Sequence, residues 1–258
     1  MKRRAAEGAA AALQRIVERM RLAAAFLTIF PTLDKRPRAS TEVAASFGWF
    51  PLIGFAIGGA VALGDWMLTR VMAASLRSLI AVAALALMSG GIHLDGLADT
   101  ADALAAGSER ARALAIMRDS RIGTFGALAL IFTIALKVAA LAGLRGSRRR
   151  AILILAPGWA RWAMVAVAQG MNYLRDEGAG TALLQRNDRG VLLVASSIAL
   201  IGTLALGKWV GLAAPVAAIA ATALLRGWYR RWLGGVTGDM LGAAGEIVES
   251  VVMLAAVR

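Results

Sequence analysis

The sequence predicts an all-α fold: a polytopic integral membrane helical bundle with an N-terminal interfacial amphipathic helix. Three observations point there. Of 258 residues, 59% are hydrophobic, against about 45–50% in soluble domains, and the mean hydropathy is +0.67. The charged residues fall in short clusters between long apolar runs, the pattern of a chain that crosses a bilayer repeatedly. No run alternates with period two over a useful length, which argues against a β-barrel. The formal net charge of +13 comes from 29 Lys and Arg against 16 Asp and Glu. Basic loops at a membrane surface account for that surplus, so a lipid bilayer is the expected partner and nucleic acid is not. Cysteine is absent, which removes disulfides, thiolate metal sites and cysteine nucleophiles together. The basic N-terminus leads into no apolar segment with a small-residue cleavage site, so no cleavable leader is expected. Two regions follow: an amphipathic segment over 1–38 and one polytopic membrane domain over 39–258.

The first element is an amphipathic helix over 5–30. Leu13, Ile16, Val17, Met20, Ala24 and Leu27 recur at helical spacing, with Gln14, Arg15, Glu18, Arg19 and Arg21 opposite. Its apolar part is shorter than the ~20 residues of a span, so it should lie in the interface. Pro31 and the cluster Asp34, Lys35, Arg36, Pro37 and Arg38 end it. The next run, 46–68, carries Gly54 and Gly58, a small-xxx-small spacing that lets helices approach closely. A shorter run at 76–92 leads directly into an acidic segment. Further apolar helices are expected at 123–143, 151–170, 191–209, 211–226 and 240–257. If the N-terminal helix stays cytoplasmic and each run crosses once, the polar loops 93–122, 171–190 and 226–239 share the cytoplasmic face. The basic loop Arg145 to Arg150 then faces outward, against the positive-inside bias.

The acidic segment is the most informative. Asp95, Asp99 and Asp102 stand at i, i+4 and i+7, one stripe on one helix face. Like charges at this spacing repel, and no Lys or Arg lies between Arg77 and Arg110. Such a stripe asks for a cation from elsewhere, and carboxylate oxygens are the hard ligands of Mg²⁺. A solvated acidic helix end is the plainer alternative. His93 points away from the stripe and reads as structural. In the segment Met117 to Gly126, Arg118, Asp119, Ser120 and Arg121 stand just before a span. Arginine forks suit phosphate oxygens, and Asp119 could join the metal cluster; headgroup contact is the alternative. In a third segment Gly234, Gly238 and Gly242 form a doubled small-xxx-small ladder, with Thr237, Asp239, Glu246 and Glu249 among them. Carboxylates in an apolar helix face the bundle interior. Lys137 should snorkel to the far interface, and Arg161, near mid-span, needs an acid such as Asp239 or Glu246.

These segments, HLDGLADTADAL, MRDSRIGTFGALAL and GGVTGDMLGAAGEIVE, resemble the integral-membrane cobalamin synthase family, the adenosylcobinamide-GDP ribazoletransferases. Their order and spacing match, as does FPLIGFAIGG upstream, and the resemblance covers roughly 25–255. The polar loop Asn172 to Gly180 follows the family pattern more loosely. The resemblance implies a transferase in which a hydroxyl of α-ribazole, or of its 5′-phosphate, attacks the phosphate carried by the cobinamide side chain of adenosylcobinamide-GDP. GMP leaves and adenosylcobalamin (or its 5′-phosphate) forms. It also implies Mg²⁺, a bacterial inner membrane location and an active site on the cytoplasmic face. Homo-oligomerisation is left open. On this reading Asp95, Asp99 and Asp119 hold Mg²⁺, and Asp102 is a further ligand or the base for the attacking hydroxyl. Arg118, Ser120 and Arg121 bind phosphate, with Arg161 also on the substrate side. Thr237, Asp239 and Glu246 line the ribazole or corrinoid side. A CDP-alcohol phosphatidyltransferase also uses an Asp-rich motif beside a membrane helix, echoed by Asp95-Gly96, but the rest of that motif is missing. A cation-coupled transporter would suit buried acids, yet no inverted repeat is visible in the hydropathy.

Overall fold

A computed structural model describes residues 2–30, 39–175, 189–206 and 210–257. The expected helix stop at Pro31, the basic cluster after it, and Asp176 to Gly180 of the polar loop lie outside the described residues, as does the end of the 191–209 run. The chain is helical, as its apolar runs predict. Helix α1 (Lys2–Leu27) leads the bundle. Its Leu22, Ala23 and Leu27 are buried, while Leu13, Ile16 and Val17 stay exposed, so its N-terminal half keeps an apolar face available to lipid. Helix α2 (Ser40–Ser46) passes through a tight turn at Phe47–Trp49 into α3 (Phe50–Met67). Pro51 sits in the first turn of α3, where its missing N–H leaves no bond unmade.

Helix α4 (Ala74–Met88) ends at Gly90 and Gly91, whose φ values of 67° and 74° fall in the left-handed region that glycine tolerates. The chain there turns by 90° into α5 (Ile92–Asp102), followed by α6 (Arg110–Ile116), α7 (Thr124–Gly143) and α8 (Gly146–Ala168). Then come β1 (Asn172–Tyr173), α9 (Arg189–Ala205), α10 (Val210–Trp232), β2 (Gly235–Val236) and α11 (Gly238–Ala255). The two short strands pair in parallel, Asn172 with Gly235 and Tyr173 with Val236.

Seven apolar runs would give seven crossings if each crossed once. Among the described residues, four helices are long and apolar enough to span a bilayer: Ser40–Arg70, Thr124–Gly143, Gly146–Ala168 and Leu212–Trp232. A fifth span exists if α4 and the limb bent away from it count as one. Helix α9 is apolar over its 17 described residues. Helix α11 carries Asp239, Glu246 and Glu249 in 18 residues.

Helix α8 is the centre of the bundle, packed by α3, α11, α10 and α9. The Gly54 and Gly58 spacing works as predicted. A methyl group at Gly54 would collide with the Pro157 carbonyl, and one at Gly58 with the Leu153 carbonyl. Pro157 has no N–H to give the Leu153 carbonyl four residues earlier, and the Gly58 backbone packs where that bond is missing.

Two interior charge clusters correct three expectations. Arg149, expected in an outward basic loop, is 2% exposed. It clamps Asp65, with Nη2 to Oδ1 at 2.7 Å and Nε to Oδ2 at 2.9 Å. That pairing removes one arginine from the loop that conflicted with the positive-inside bias. Lys137 does not snorkel: it is buried against Glu246 and Glu249, 2.9 Å from Glu249 Oε1. The acid partner of Arg161 is Glu249, at 2.7 Å, and neither Asp239 nor Glu246. Two cations and two carboxylates thus neutralise one another in a low-dielectric interior, the arrangement under which buried charges persist. The expected Gly234–Gly238–Gly242 ladder is also not one helix seam. Gly234 lies in a turn with φ of 75°, and Gly242 alone makes a close helix contact, its added Cβ falling 3.3 Å from His93 Cα.

Candidate active site

Helix α5 presents its acidic stripe beside the first turn of α11 because Gly96 leaves room there: a Cβ at that position would sit 2.7 Å from the Asp239 carbonyl oxygen. Thr237 starts α11, its Oγ1 accepting from Met240 N at 3.2 Å, a hydroxyl cap of the favoured type. The β1–β2 ladder extends when Leu174 N donates to the Val236 carbonyl at 2.9 Å. The next residue, Arg175, then pairs through Nη2 with Asp239 Oδ2 and donates to the Met117 carbonyl at 3.1 Å.

Around this junction lies a cavity of about 660 Å³ lined by Asp95, Asp99, Arg118, Asp119, Ser120, Arg121, Arg175 and Asp239. Seven residues singled out from sequence, Asp95, Asp99, Arg118, Asp119, Ser120, Arg121 and Asp239, therefore share one space. Among the described residues, no donor reaches the carboxylates of Asp95 or Asp99 within hydrogen-bond distance. Asp119 and Arg121 hold each other in a fork, Nε to Oδ1 at 3.0 Å and Nη2 to Oδ2 at 2.6 Å, with the Arg121 backbone N–H adding a third bond at 3.1 Å. Those bonds from Arg121 hold the Asp119 carboxyl down at about 2, and the same contact raises the Arg121 guanidinium.

Asp102 has a different position from its stripe-mates. Its Oδ2 accepts from Gly123 N at 2.7 Å and its Oδ1 from Gly126 N at 2.8 Å. The carboxylate caps the N-terminus of α7 from a neighbouring helix, where both the orphan amides and the helix dipole favour an anion. Its two oxygens are occupied by the backbone, and it does not line the cavity. Thr237 likewise stands at the border as a cap. Arg161 and Glu246 lie in the interior charge cluster, about two helical turns along α11 from Asp239 in the case of Glu246.

Sequence spacing missed Arg175 as a site residue. The signal available was its place in the polar loop after α8; its approach to Asp239 depends on the strand pairing. It missed a second cavity altogether, about 260 Å³, which shares Asp95 and Asp239 with the first and is walled by Phe26, Phe47 and Phe50. His93 also differs from the satisfied structural histidine expected. It is 3% exposed, its Nδ1 faces Arg161 Nη2 at 3.4 Å, and its Nε2 has no partner among the described residues.

Among the described residues no three Asp, Glu or His side chains converge as a closed metal cage. Mg²⁺ seldom uses one: it binds through one or two carboxylates, with waters and substrate phosphates completing the octahedron. Asp95 and Asp99, two carboxylates without a partner among the described residues, line a polar cavity and fit that requirement.

Fold and cavity define a multi-pass membrane protein with a carboxylate- and arginine-lined site on one end of its helical bundle. The chain belongs to the cobalamin-5-phosphate synthase family, which it matches over residues 19–257. It is 40% identical over 237 residues to an adenosylcobinamide-GDP ribazoletransferase of Syntrophobacter fumaroxidans, covering 91% of this chain and 96% of that one. Proteins of the same name from Roseiflexus sp. and Desulforamulus reducens are 38% and 37% identical, covering 88% and 91% of this chain and 85% and 94% of their own. No solved structure matches the chain.

Proposed function

We propose that the chain transfers α-ribazole, or its 5′-phosphate, onto adenosylcobinamide-GDP. The ribazole hydroxyl oxygen bonds to the phosphorus attached to the cobinamide side chain. The bond from that phosphorus to the bridging oxygen breaks, GMP departs with the bridging oxygen, and the hydroxyl proton passes to a carboxylate of the cavity. The family membership and the relatives' names support this reading. The structural observation that carries it is the meeting of Asp95, Asp99 and Asp239 with Arg118, Arg121 and Arg175 in one cavity.

Displacement at a nucleoside-diphosphate phosphorus needs charge neutralisation and in-line positioning more than a covalent intermediate. Arg118 and Arg121 supply fork-shaped donors for phosphate oxygens on the exposed rim. Arg175 holds Asp239 at the opposite edge and would keep a third guanidinium against the diphosphate. Asp95 and Asp99 are the residues that would hold Mg²⁺, with Asp119 able to join once Arg121 turns to phosphate. The bound ion would draw charge from the diphosphate and favour GMP as a leaving group. The site belongs on the cytoplasmic face of a bacterial inner membrane, where the loops after α5, α8 and α10 gather.

The test is direct. The chain, purified into proteoliposomes, is incubated with adenosylcobinamide-GDP, α-ribazole and Mg²⁺. Equimolar GMP and adenosylcobalamin are expected. Release of CMP from a CDP-alcohol with no GMP, or cation flux without turnover, would overturn the proposal.

A further inference from the structure

The second cavity meets the first only at the carboxylates. Asp95 and Asp239 line both. Beyond them the character of the wall changes from guanidinium and carboxylate to ring and thioether: Phe26 from α1, Phe47 and Phe50 at the start of α3, and Met164 from α8. The three phenylalanines form a continuous wall, with ring centroids 5.5 Å apart for Phe26 and Phe47 and 4.5 Å for Phe47 and Phe50. Aromatic faces and a polarisable thioether suit a flat ring system. The volume, about 260 Å³, falls below the roughly 300 Å³ at which pockets for drug-sized ligands begin. That is room for one bicyclic base and excludes a corrin macrocycle. His93 also lines this cavity, with its own ring nitrogens buried. His93 Nδ1 faces an arginine N–H and so accepts, which leaves the ring proton on the unpartnered Nε2.

We infer that this cavity is the acceptor subsite: it takes the heteroaromatic base of ribazole and thereby sets the attacking ribose hydroxyl at Asp95 and Asp239. The inference rests on the ribazole-transfer reading above. The acceptor reaches the carboxylates from the aromatic side and the donor diphosphate from the arginine side. Attacking and leaving oxygens then lie on opposite sides of the reacting phosphorus, as in-line displacement requires. Selection among heteroaromatic bases falls to Phe26, Phe47, Phe50 and Met164, and the arginines take no part in it.

The experiment uses the full chain in nanodiscs of one defined lipid, with free benzimidazole as probe. In the wild type, benzimidazole should compete with α-ribazole and act noncompetitively toward adenosylcobinamide-GDP. Phe50→Leu keeps an apolar side chain of similar bulk but removes the flat ring. It should raise KM for α-ribazole by about three- to tenfold, the range of one aromatic contact. It should weaken benzimidazole inhibition in parallel and leave KM for adenosylcobinamide-GDP within twofold. Met164→Leu, a milder change, should shift the preference between benzimidazole ribosides of different ring substitution with stability unchanged. Equilibrium dialysis of labelled α-ribazole without turnover gives the same comparison for a variant too unstable to assay. Competition of benzimidazole with the GDP substrate, or no change in α-ribazole binding in either variant, overturns the subsite while leaving ribazole transfer intact. So does an effect of Phe50→Leu that follows the lipid acyl-chain length, which would assign the cavity to lipid. Absence of GMP release by the wild type overturns the transfer reading itself, and the subsite with it.

Discussion

Asp102→Asn separates a carboxylate that holds the site together from one that does chemistry. The Asp102 side chain accepts two backbone N–H bonds, 2.7 Å from Gly123 and 2.8 Å from Gly126. Asparagine keeps one acceptor oxygen and turns an NH₂ toward the other N–H. One bond and the favourable charge at the α7 N-terminus are lost. Removing a helix cap costs about 0.5–2 kcal/mol, and a bond to a charged group contributes about 1.5–3 kcal/mol. Gly123 is exposed, so water replaces part of what is lost, and the expected cost is about 1–2 kcal/mol. At about 2–4 °C per kcal/mol for a chain of this size, the apparent Tm in detergent should fall by roughly 2–8 °C. The loop that Asp102 anchors carries Arg118, Asp119 and Arg121, so kcat/KM for adenosylcobinamide-GDP should fall several-fold. The Mg²⁺ concentration giving half-maximal rate should not move. Gly126→Ala perturbs the same cap while keeping the aspartate itself, because its Cβ would collide with Asp102 Oδ2, and should reproduce the phenotype. Loss of turnover in Asp102→Asn at unchanged Tm, with Gly126→Ala fully active, would refute the capping role and return Asp102 to the base or metal-ligand role its place in the stripe first suggested.

Further outcomes follow from the charge clusters and the cavity rim. Among the described residues, Lys137→Met leaves Glu246 without a paired cation and Glu249 with Arg161 alone. Breaking a buried pair costs roughly 3–5 kcal/mol, so apparent Tm should drop sharply, and adding Glu246→Gln should recover part of the loss. Arg175→Ala removes a partly buried pair with Asp239 and should cost about 1 kcal/mol of stability, the upper end of the range for exposed pairs. It should nonetheless raise KM for adenosylcobinamide-GDP, which steady-state kinetics will report. The Asp119 carboxyl, held at about 2 by Arg121, is depressed relative to its unfolded value. Its contact with Arg121 is complete above the ordinary carboxylate range and is lost only as the pH falls through about 2. The acid limb of a pH–rate profile measured above pH 4 should therefore keep its midpoint in Asp119→Asn.

The helices were legible because an apolar run of the right length has few other stable outcomes at a membrane. Asp95 and Asp99 were legible because i, i+4 spacing places them on one face whatever the surroundings. Asp102 continues the same stripe, but the amides it caps lie 21 and 24 residues further along the chain, and no local pattern announces them. Lys137 and Arg161 were read as cations in apolar helices, and their partners are 112 and 88 residues away. Local spacing shows that such a charge needs an acid and is silent on which one. The right-angle turn at Gly90 and Gly91 needed two left-handed residues in succession. A pair of glycines permits that turn without requiring it. The aromatic cavity draws on α1, α3, α5, α8 and α11 at once, so only the assembled bundle reveals it.

On the proposed function, Asp95 and Asp99 would hold Mg²⁺ against the diphosphate of the donor. The measurement that tests it is GMP release by Asp95→Asn and Asp99→Asn chains in membranes, titrated with Mg²⁺ at saturating adenosylcobinamide-GDP and α-ribazole. Each variant should show turnover reduced by at least tenfold at limiting Mg²⁺, with partial recovery as Mg²⁺ is raised. Near-normal GMP release by either variant at limiting Mg²⁺ would contradict the claim.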